Sequence, residues 1–444
     1  MAFRDIRKSR KLLSVEEIRL LALGLLMLAG LLAGNIALAR ILPGGEWFFQ
    51  RWSGARGFLL QQIELSHGAR GARTMPEGTS VFIASRGGPY STEIAQRTQQ
   101  IVYGRQAFSS EYNYVLNDPF FIVLLYSPLA LIPDFSLARA LWMLLSELAL
   151  IGTVLLAFNL SEWQPRPWLY VVLLGFGLFQ YFSLNALLTG SPAILLAFLY
   201  LCILLALRSY SDELAGILLA LAAYQWEVGG LFFLFILVFV LLNHRWGVLA
   251  GLGMALFVLL VVSFLANSGW ALPYIRAVLS TWYRSANLTA DYILSTWLPN
   301  LRFPLGPAVA IGLAILLFIE WFEASNQRFR RVVWVAALSL SATPLMGLPI
   351  FSANHVVLIL PFILILSLVW ERWPRYRFLR VGLFLIFVLA VPFAMYARVV
   401  SVYDPLVLDL ISILPPVAAM LGLYWMRWWL VHSPRTLFDR IGDR

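Results

Sequence analysis

Residues 18–52 read IRLLALGLLMLAGLLAGNIALARILPGGEWFFQRW. The first part, Ile18–Ile41, is 24 residues with charges only at Arg19 and Arg40. That is long enough to cross a hydrocarbon layer of ~30 Å as a helix, which takes about 20 residues. The character then changes at Leu42. From Leu42 to Asp118 the chain is polar and rich in Gly and Arg, and after Pro119 it becomes apolar again. Only one other sizeable polar break follows, Ala266–Pro304. Lipid satisfies no backbone donor or acceptor, so each apolar run must be a helix unless the chain closes a barrel. Barrel strands alternate with period two, and these runs do not.

Composition agrees with this reading. The chain has 444 residues, 61% hydrophobic and 13% charged; soluble domains carry about 25% charged residues. Mean hydropathy is +0.79. A net charge of +10 would suggest nucleic acid in a soluble protein. Here the basic residues lie between spans and near the ends, where they set orientation and meet headgroups, so no nucleic-acid partner is expected. Only Lys8 and Lys11 among the 33 basic residues are Lys. With Cys202 as the single cysteine, no disulfide can form within the chain, and no metal-ligand spacing appears. No cofactor is expected, and nothing in the spacing demands a divalent cation. Nucleotide-binding glycine loops are also lacking, which argues against a nucleotide-driven pump.

The predicted organisation is a cytoplasmic segment 1–17, a first transmembrane helix 18–41, a large extracytoplasmic loop 42–118, a transmembrane core 119–265, a second outer loop 266–304, C-terminal transmembrane helices 305–425 and a cytoplasmic tail 426–444. Arg4, Arg7, Lys8, Arg10 and Lys11 before the first span place the N-terminus in the cytoplasm, and the run after them reads as an anchor rather than a cleaved signal. Within the large loop, Trp47–Gln62 has apolar residues at helical spacing and is expected to lie in the membrane interface. Ser91–Tyr103 reads as a second, more polar helix, and Gly68–Gly88 as irregular. Leu272–Arg284 is expected to be another interfacial helix, with Trp270, Trp282 and Trp297 as anchors. Basic clusters around Arg328–Arg331, Arg372–Arg380 and Arg427–Arg440 are each two spans apart, so all can be cytoplasmic. Counting spans forward nevertheless puts Asn159–Pro165 outside, while counting backward puts it inside. Either one short segment is re-entrant or Pro167–Leu188 is broken in two.

If this is an enzyme acting on a lipid-linked substrate, a carboxylate should stand at headgroup height to take a proton. Glu46 at the exit of the first span and Asp118 at the next apolar run fit best. Glu93 belongs to the same outer set of acids. Gln225-Trp226-Glu227 interrupts apolar sequence, and an ionisable residue there is expensive unless it is paired or lines a cavity. Glu147 is expected to pair with an arginine of a neighbouring helix and Glu320 to snorkel toward the cytoplasmic surface. His355, at an outer helix start, is a candidate phosphate contact, as are Arg276 and Arg284 beside the tryptophan-rich loop. Each also has a plain structural reading: Asn-Asp-Pro commonly begins helices, and a histidine can simply cap one.

The order of several blocks carries a resemblance. Pro43-Gly-Gly-Glu46-Trp-Phe-Phe-Gln-Arg-Trp52, Gly88-Pro89-Tyr90, Asp118-Pro119 through Pro133, Ala138-Arg-Ala-Leu-Trp142, Leu188-Thr-Gly190-Ser-Pro and Leu214-Ala-Gly216 resemble, in sequence order, the bacterial polyprenyl-phosphate-mannose-dependent mannosyltransferases. The similarity covers roughly Gly44 to Leu265. It implies an all-α polytopic membrane protein, a C-type glycosyltransferase-like bundle of about 11–13 transmembrane helices with a large outer loop after helix one. It also implies a polyprenyl-phosphate sugar as donor and a lipid or glycan acceptor, in contact with membrane lipids. Glu46 stands where that family usually has Asp, and is the expected base, with Asp118 as rival. From their own positions, and not from the resemblance, His355, Arg276 and Arg284 are expected to hold the phosphate, and Glu227, Gln225 and Glu93 to contact substrate. The chain departs from the pattern in the insertion Gln61–Arg86, in Trp226-Glu227 where Lys-Pro is common, and in Ser191 where Gln is usual. The alternatives from other classes are a lipid or small-molecule transporter and a non-catalytic membrane scaffold.

Overall fold

The structure is a computed structural model that describes residues 15–66, 88–106, 108, 114–284, 288–298, 305–325, 327–373, 375–402 and 405–428. These residues form helices and connecting loops with no strand among them. In chain order the helices are α1 (Val15–Ile41), α2 (Glu46–Ser66), α3 (Thr92–Tyr103), α4 (Phe120–Ala130), α5 (Phe135–Ser161), α6 (Pro167–Phe179), α7 (Tyr181–Thr189), α8 (Ala193–Arg208) and α9 (Asp212–Ala222). They continue as α10 (Trp226–Leu242), α11 (Trp246–Ala266), α12 (Ala271–Arg284), α13 (Ala290–Trp297), α14 (Leu305–Ala324), α15 (Phe329–Ala342), α16 (Ile359–Arg372), α17 (Arg377–Val402) and α18 (Pro405–Trp425). A 3₁₀ turn, Ser352–Leu358, leads directly into α16.

Seven helices are long and apolar enough to cross a membrane, eight if α6 and α7 count as one span. Those two are bent by 46° at Gln180, whose extended backbone interrupts the helix. Shorter apolar helices α4, α8 and α10 add to the set. The chain is a polytopic membrane protein. Its outward faces are apolar, as lipid requires: Leu25, Met254, Phe257, Ile311 and Ile386 are all exposed. The core between the helices is apolar and close-packed, with Phe232, Phe235, Trp334 and Ile363 fully buried.

One end of the bundle gathers the polar insertions. Arg139 on α5 donates to Leu42 O at 2.9 Å, Pro43 O at 3.3 Å and Leu188 O at 2.8 Å, tying the exit of α1 to the end of α7. Gly44 and Gly45 take φ of +121° and +82° to let the chain turn there. A Cβ on Gly45 would lie 2.9 Å from the Arg139 side chain, so this turn needs glycine for both space and conformation. The opposite end is basic: Arg208, Arg245, Arg330, Arg331 and Arg427 form its ion pairs.

The conflict in the span count resolves at α4. Asp118, just before α4, pairs with Arg51 of α2. Ala130 O, at its far end, accepts from Arg56 of α2 at 3.0 Å. Asp134, just beyond, faces Arg40 at the end of α1 at 3.9 Å. Both ends of α4 therefore sit at the polar-loop end, and Pro119–Pro133 is the segment that fails to traverse the bundle. α5 then runs to the basic end, where Glu162 meets Arg208 at 3.1 Å. Asn159–Pro165 thus shares an end with the arginine clusters.

Four expectations about local placement are corrected. The helix predicted to lie in the interface from Trp47 to Gln62 is α2, and it is packed inside the protein instead. Phe48, Phe49, Trp52, Ala55 and Phe58 are buried, and so is Arg51, whose charge is matched by Asp118. Trp270 is a core residue stacked near Phe120 and Phe264 rather than a headgroup anchor. Glu320 does not snorkel; it is buried and paired with Arg331 at 3.2 Å and Arg427 at 2.8 Å. Among the described residues Glu147 forms no ion pair with an arginine; it accepts from Asn35 Nδ2 of α1 at 3.0 Å. Residues 67–87, which include most of the stretch expected to be irregular, lie outside the described residues.

Candidate functional site

At the polar-loop end the helix ends leave a cavity of about 570 Å³. Six chain segments supply its polar wall, one of them Thr289 at the start of α13. Asn117 and Asp118 come from the approach to α4, Ser191 from the α7–α8 turn, and Tyr224, Gln225 and Glu227 from the α9–α10 turn. Tyr274 comes from α12 and Asn354 from the 3₁₀ turn before α16. Trp47, Trp226 and Phe351 add aromatic surface. Trp47 meets Phe351 edge-on with centroids 5.1 Å apart and Tyr114 at 5.4 Å.

Asp118 is fixed from behind. Its Oδ2 lies 2.6 Å from Arg51 Nε, and both side chains are 1% exposed. Arg51 also donates to Trp47 O at 2.7 Å, and the Tyr90 hydroxyl donates to the Asp118 carbonyl at 3.0 Å. A buried pair of this kind holds only while both members are present. The Tyr126 hydroxyl is buried close to Arg51 and, among the described residues, has no hydrogen-bond partner. Burial and the negative charge of Asp118 both push the Tyr90 and Tyr274 hydroxyls up, so they stay protonated donors at neutral pH. Glu227 opens α10 and lies within electrostatic reach of both Asp118 and Arg51. α10 kinks at Gly229, two residues on.

Glu46 begins α2, one residue before Trp47 of the cavity wall. The described cavity lining does not include its own carboxylate. Burial pushes that carboxyl up from 4.5 to about 7, against the opposing pull of its own helix-start N–H and of Arg139. The neighbouring Tyr114 hydroxyl is raised by burial and by the Glu46 charge.

The predicted residues therefore divide. Asp118, Gln225 and Glu227 share the cavity, while Glu46 is not among its lining residues and directly precedes Trp47, which is. His355 does not reach it: the ring is 1% exposed, its Nε2 lies 2.8 Å from Ser412 O, and it packs on Phe182. The preceding residue, Asn354, occupies the wall instead. Glu93 pairs with Arg97 at 2.6 Å along α3 and is not among the cavity's lining residues. Arg276 is exposed, while Tyr274 and Val278 of the same helix face the cavity. Arg284 ends α12, and its side chain is outside the described residues.

Residues that the sequence did not single out include Arg51, Asn117, Tyr274 and Asn354. Arg51 had a signal: a lone cation among Trp47, Phe48, Phe49 and Trp52 must find an anion or leave the helix face. The other three are ordinary loop or helix residues until the bundle assembles. Among the described residues no group of three or more His, Cys, Asp or Glu is placed to hold a metal ion. No family model matches the chain, and neither a curated protein nor a solved structure shows significant similarity to it.

Proposed function

We propose that the chain is a membrane glycosyltransferase that moves a hexose from a polyprenyl-phosphate sugar to a lipid or glycan hydroxyl. The supporting observation is the wall of one cavity, where Asp118, Glu227, Gln225, Asn117 and Asn354 alternate with Trp47, Trp226 and Tyr274 at the end of an apolar bundle. A hexose needs acceptors and donors for its hydroxyls and flat apolar faces for its C–H surface, and pockets combine these in this way. The basic residues at the opposite end favour a cytoplasmic face there, and this supports reading the cavity as extracytoplasmic. The apolar core between the two ends, around Phe232, Phe235 and Trp334, speaks against a polar transport path.

In this reading Glu46 is the base. A carboxyl that titrates at about 7 is matched to neutral pH, where a base must be both deprotonated and able to accept. Asp118, with one oxygen engaged by Arg51, and Glu227 serve as fixed acceptors for sugar hydroxyls. The acceptor O–H gives its proton to Glu46 while the new O–C1 bond forms. The C1–O bond to phosphate breaks, and polyprenyl phosphate leaves with that electron pair. Direct transfer inverts the anomeric carbon. Fixed donors around the cavity act by positioning and by stabilising charge as it develops.

The test is transfer of labelled hexose from polyprenyl phosphate in membranes, comparing wild type with Glu46→Gln, Asp118→Asn and Glu227→Gln. Glu46→Gln should lower turnover about 10²–10⁴-fold, and the other two should mainly raise the donor KM. Equal transfer by all four proteins, or none by wild type from any polyprenyl-phosphate hexose, would overturn the proposal.

A further inference from the structure

α16, α17 and α18 enclose a second space of a different kind. It is a groove of about 240 Å³ in which every lining side chain is apolar, among them Phe182, Ile365, Leu414 and Trp425. It runs from Phe182 and Ile411, near the polar-loop end, to Trp425 and Met426 at the basic end. Pro392 of α17 and Pro415 of α18 lie inside their helices and also line it. Prolines there remove backbone hydrogen bonds and bend the helix, which keeps neighbouring helices from closing.

The basic-end mouth carries charge. Trp425 stacks on Trp373 with an interplanar angle of 9° and centroids 5.3 Å apart. The Arg380 guanidinium lies 5.6 Å over Trp373, and that of Arg377 lies 4.5 Å over Trp370. Among the described residues no ion pair engages Arg375, Arg377 or Arg380. The nearest acid along the chain, Glu371, faces Arg330 at 3.7 Å. A narrow apolar slot therefore ends at a cationic rim set on indole rings.

We propose that this groove binds one anionic membrane phospholipid, with an acyl chain in the slot and the phosphate against Arg377 and Arg380. The slot is too small for a protein helix, which is about 10 Å across with its side chains. Uncompensated arginines at a tryptophan belt select a net negative headgroup over a zwitterionic one. The site is separate from the cavity at Asp118 and does not depend on what that cavity does.

The experiment uses the full chain, purified in detergent and stripped of lipid, with phosphatidylglycerol, phosphatidylcholine of the same chains, or soluble glycerol phosphate added. Phosphatidylglycerol should raise the unfolding temperature by about 3–5 °C more than phosphatidylcholine, and glycerol phosphate should do nothing. Arg377→Gln with Arg380→Gln should remove the preference, since neither side chain lies in the core. Leu414→Trp, which fills the slot, should cut phosphatidylglycerol retention at least fivefold by native mass spectrometry. Equal shifts with the two lipids, an equal shift with glycerol phosphate, or full preference in the double variant would each overturn the proposal.

Discussion

Replacing Glu46 with Gln should make the folded protein more stable in a way that depends on pH. Glu46 titrates at about 7 in the folded chain against an ordinary 4.5, because burial penalises its ionised form. Below pH 4.5 both folded and unfolded chains hold the proton, and the group contributes no pH dependence. Between 4.5 and 7 the unfolded chain releases a proton that the folded chain keeps, so stability falls as pH rises across that window. Above 7 the loss is complete. At 1.36 kcal/mol per tenfold change in proton affinity, and allowing for the solvent that reaches a half-buried group, the loss is about 2–3 kcal/mol. Gln has nearly the same shape and no charge to lose. Thermal unfolding in detergent at pH 5 and pH 8 should therefore show Glu46→Gln nearer to wild type at pH 5 and clearly above it at pH 8, by on the order of 5 °C. Transfer activity, if Glu46 is the base, should fall in the same variant and in wild type should rise with pH through about 7. A wild type and variant that differ by the same amount at both pH values would refute the reasoning, because burial would then not be what holds the proton.

Arg51→Met should cost about 3–5 kcal/mol by leaving Asp118 buried without its cation, and adding Asp118→Asn should recover part of that loss, which unfolding of the two single variants and the double variant will show. Gly216→Val should disrupt the α9–α11 contact, because a Cβ at Gly216 would lie 2.1 Å from Val248 O; close backbone approach through small residues is what packs helices in membranes, and lower yield of folded protein in detergent is the readout. His355→Ala should cost about 1–3 kcal/mol through the lost contact with Ser412 O yet leave donor KM unchanged, since the ring is away from the cavity; a donor-specific defect would place it in the phosphate site after all.

The large polar insertion, its helix from Ser91 and the position of Asp118 at a helix start were readable because polar and apolar runs are local features. The aromatic spacing of Trp47, Phe48 and Trp52 also gave a helix, but not its surroundings. A helix with one apolar face looks the same in sequence whether that face meets lipid or α4. The charged residue that breaks the face, Arg51, meets its partner 67 positions later, and no local pattern joins them. His355 misled for the same reason: a histidine at a helix start has identical neighbours in sequence whether it faces a cavity or Ser412, 57 residues away.

By itself the sequence determined that the chain is an oily helical protein with its polar mass lopsided toward one end, because a bilayer leaves the backbone one solution and each apolar run declares its own length. Only the tertiary structure decided that α4 turns back at the end it started from, since that is seen in contacts made at that end, Arg40 with Asp134 and Arg56 with Ala130 O, between residues far apart in sequence. It alone also decided which acids face a shared space. Asp118, Glu227 and the amide of Asn354 come to line one cavity through the packing of helices far apart in the chain, and the cost of burying the two carboxylates is set by what surrounds them.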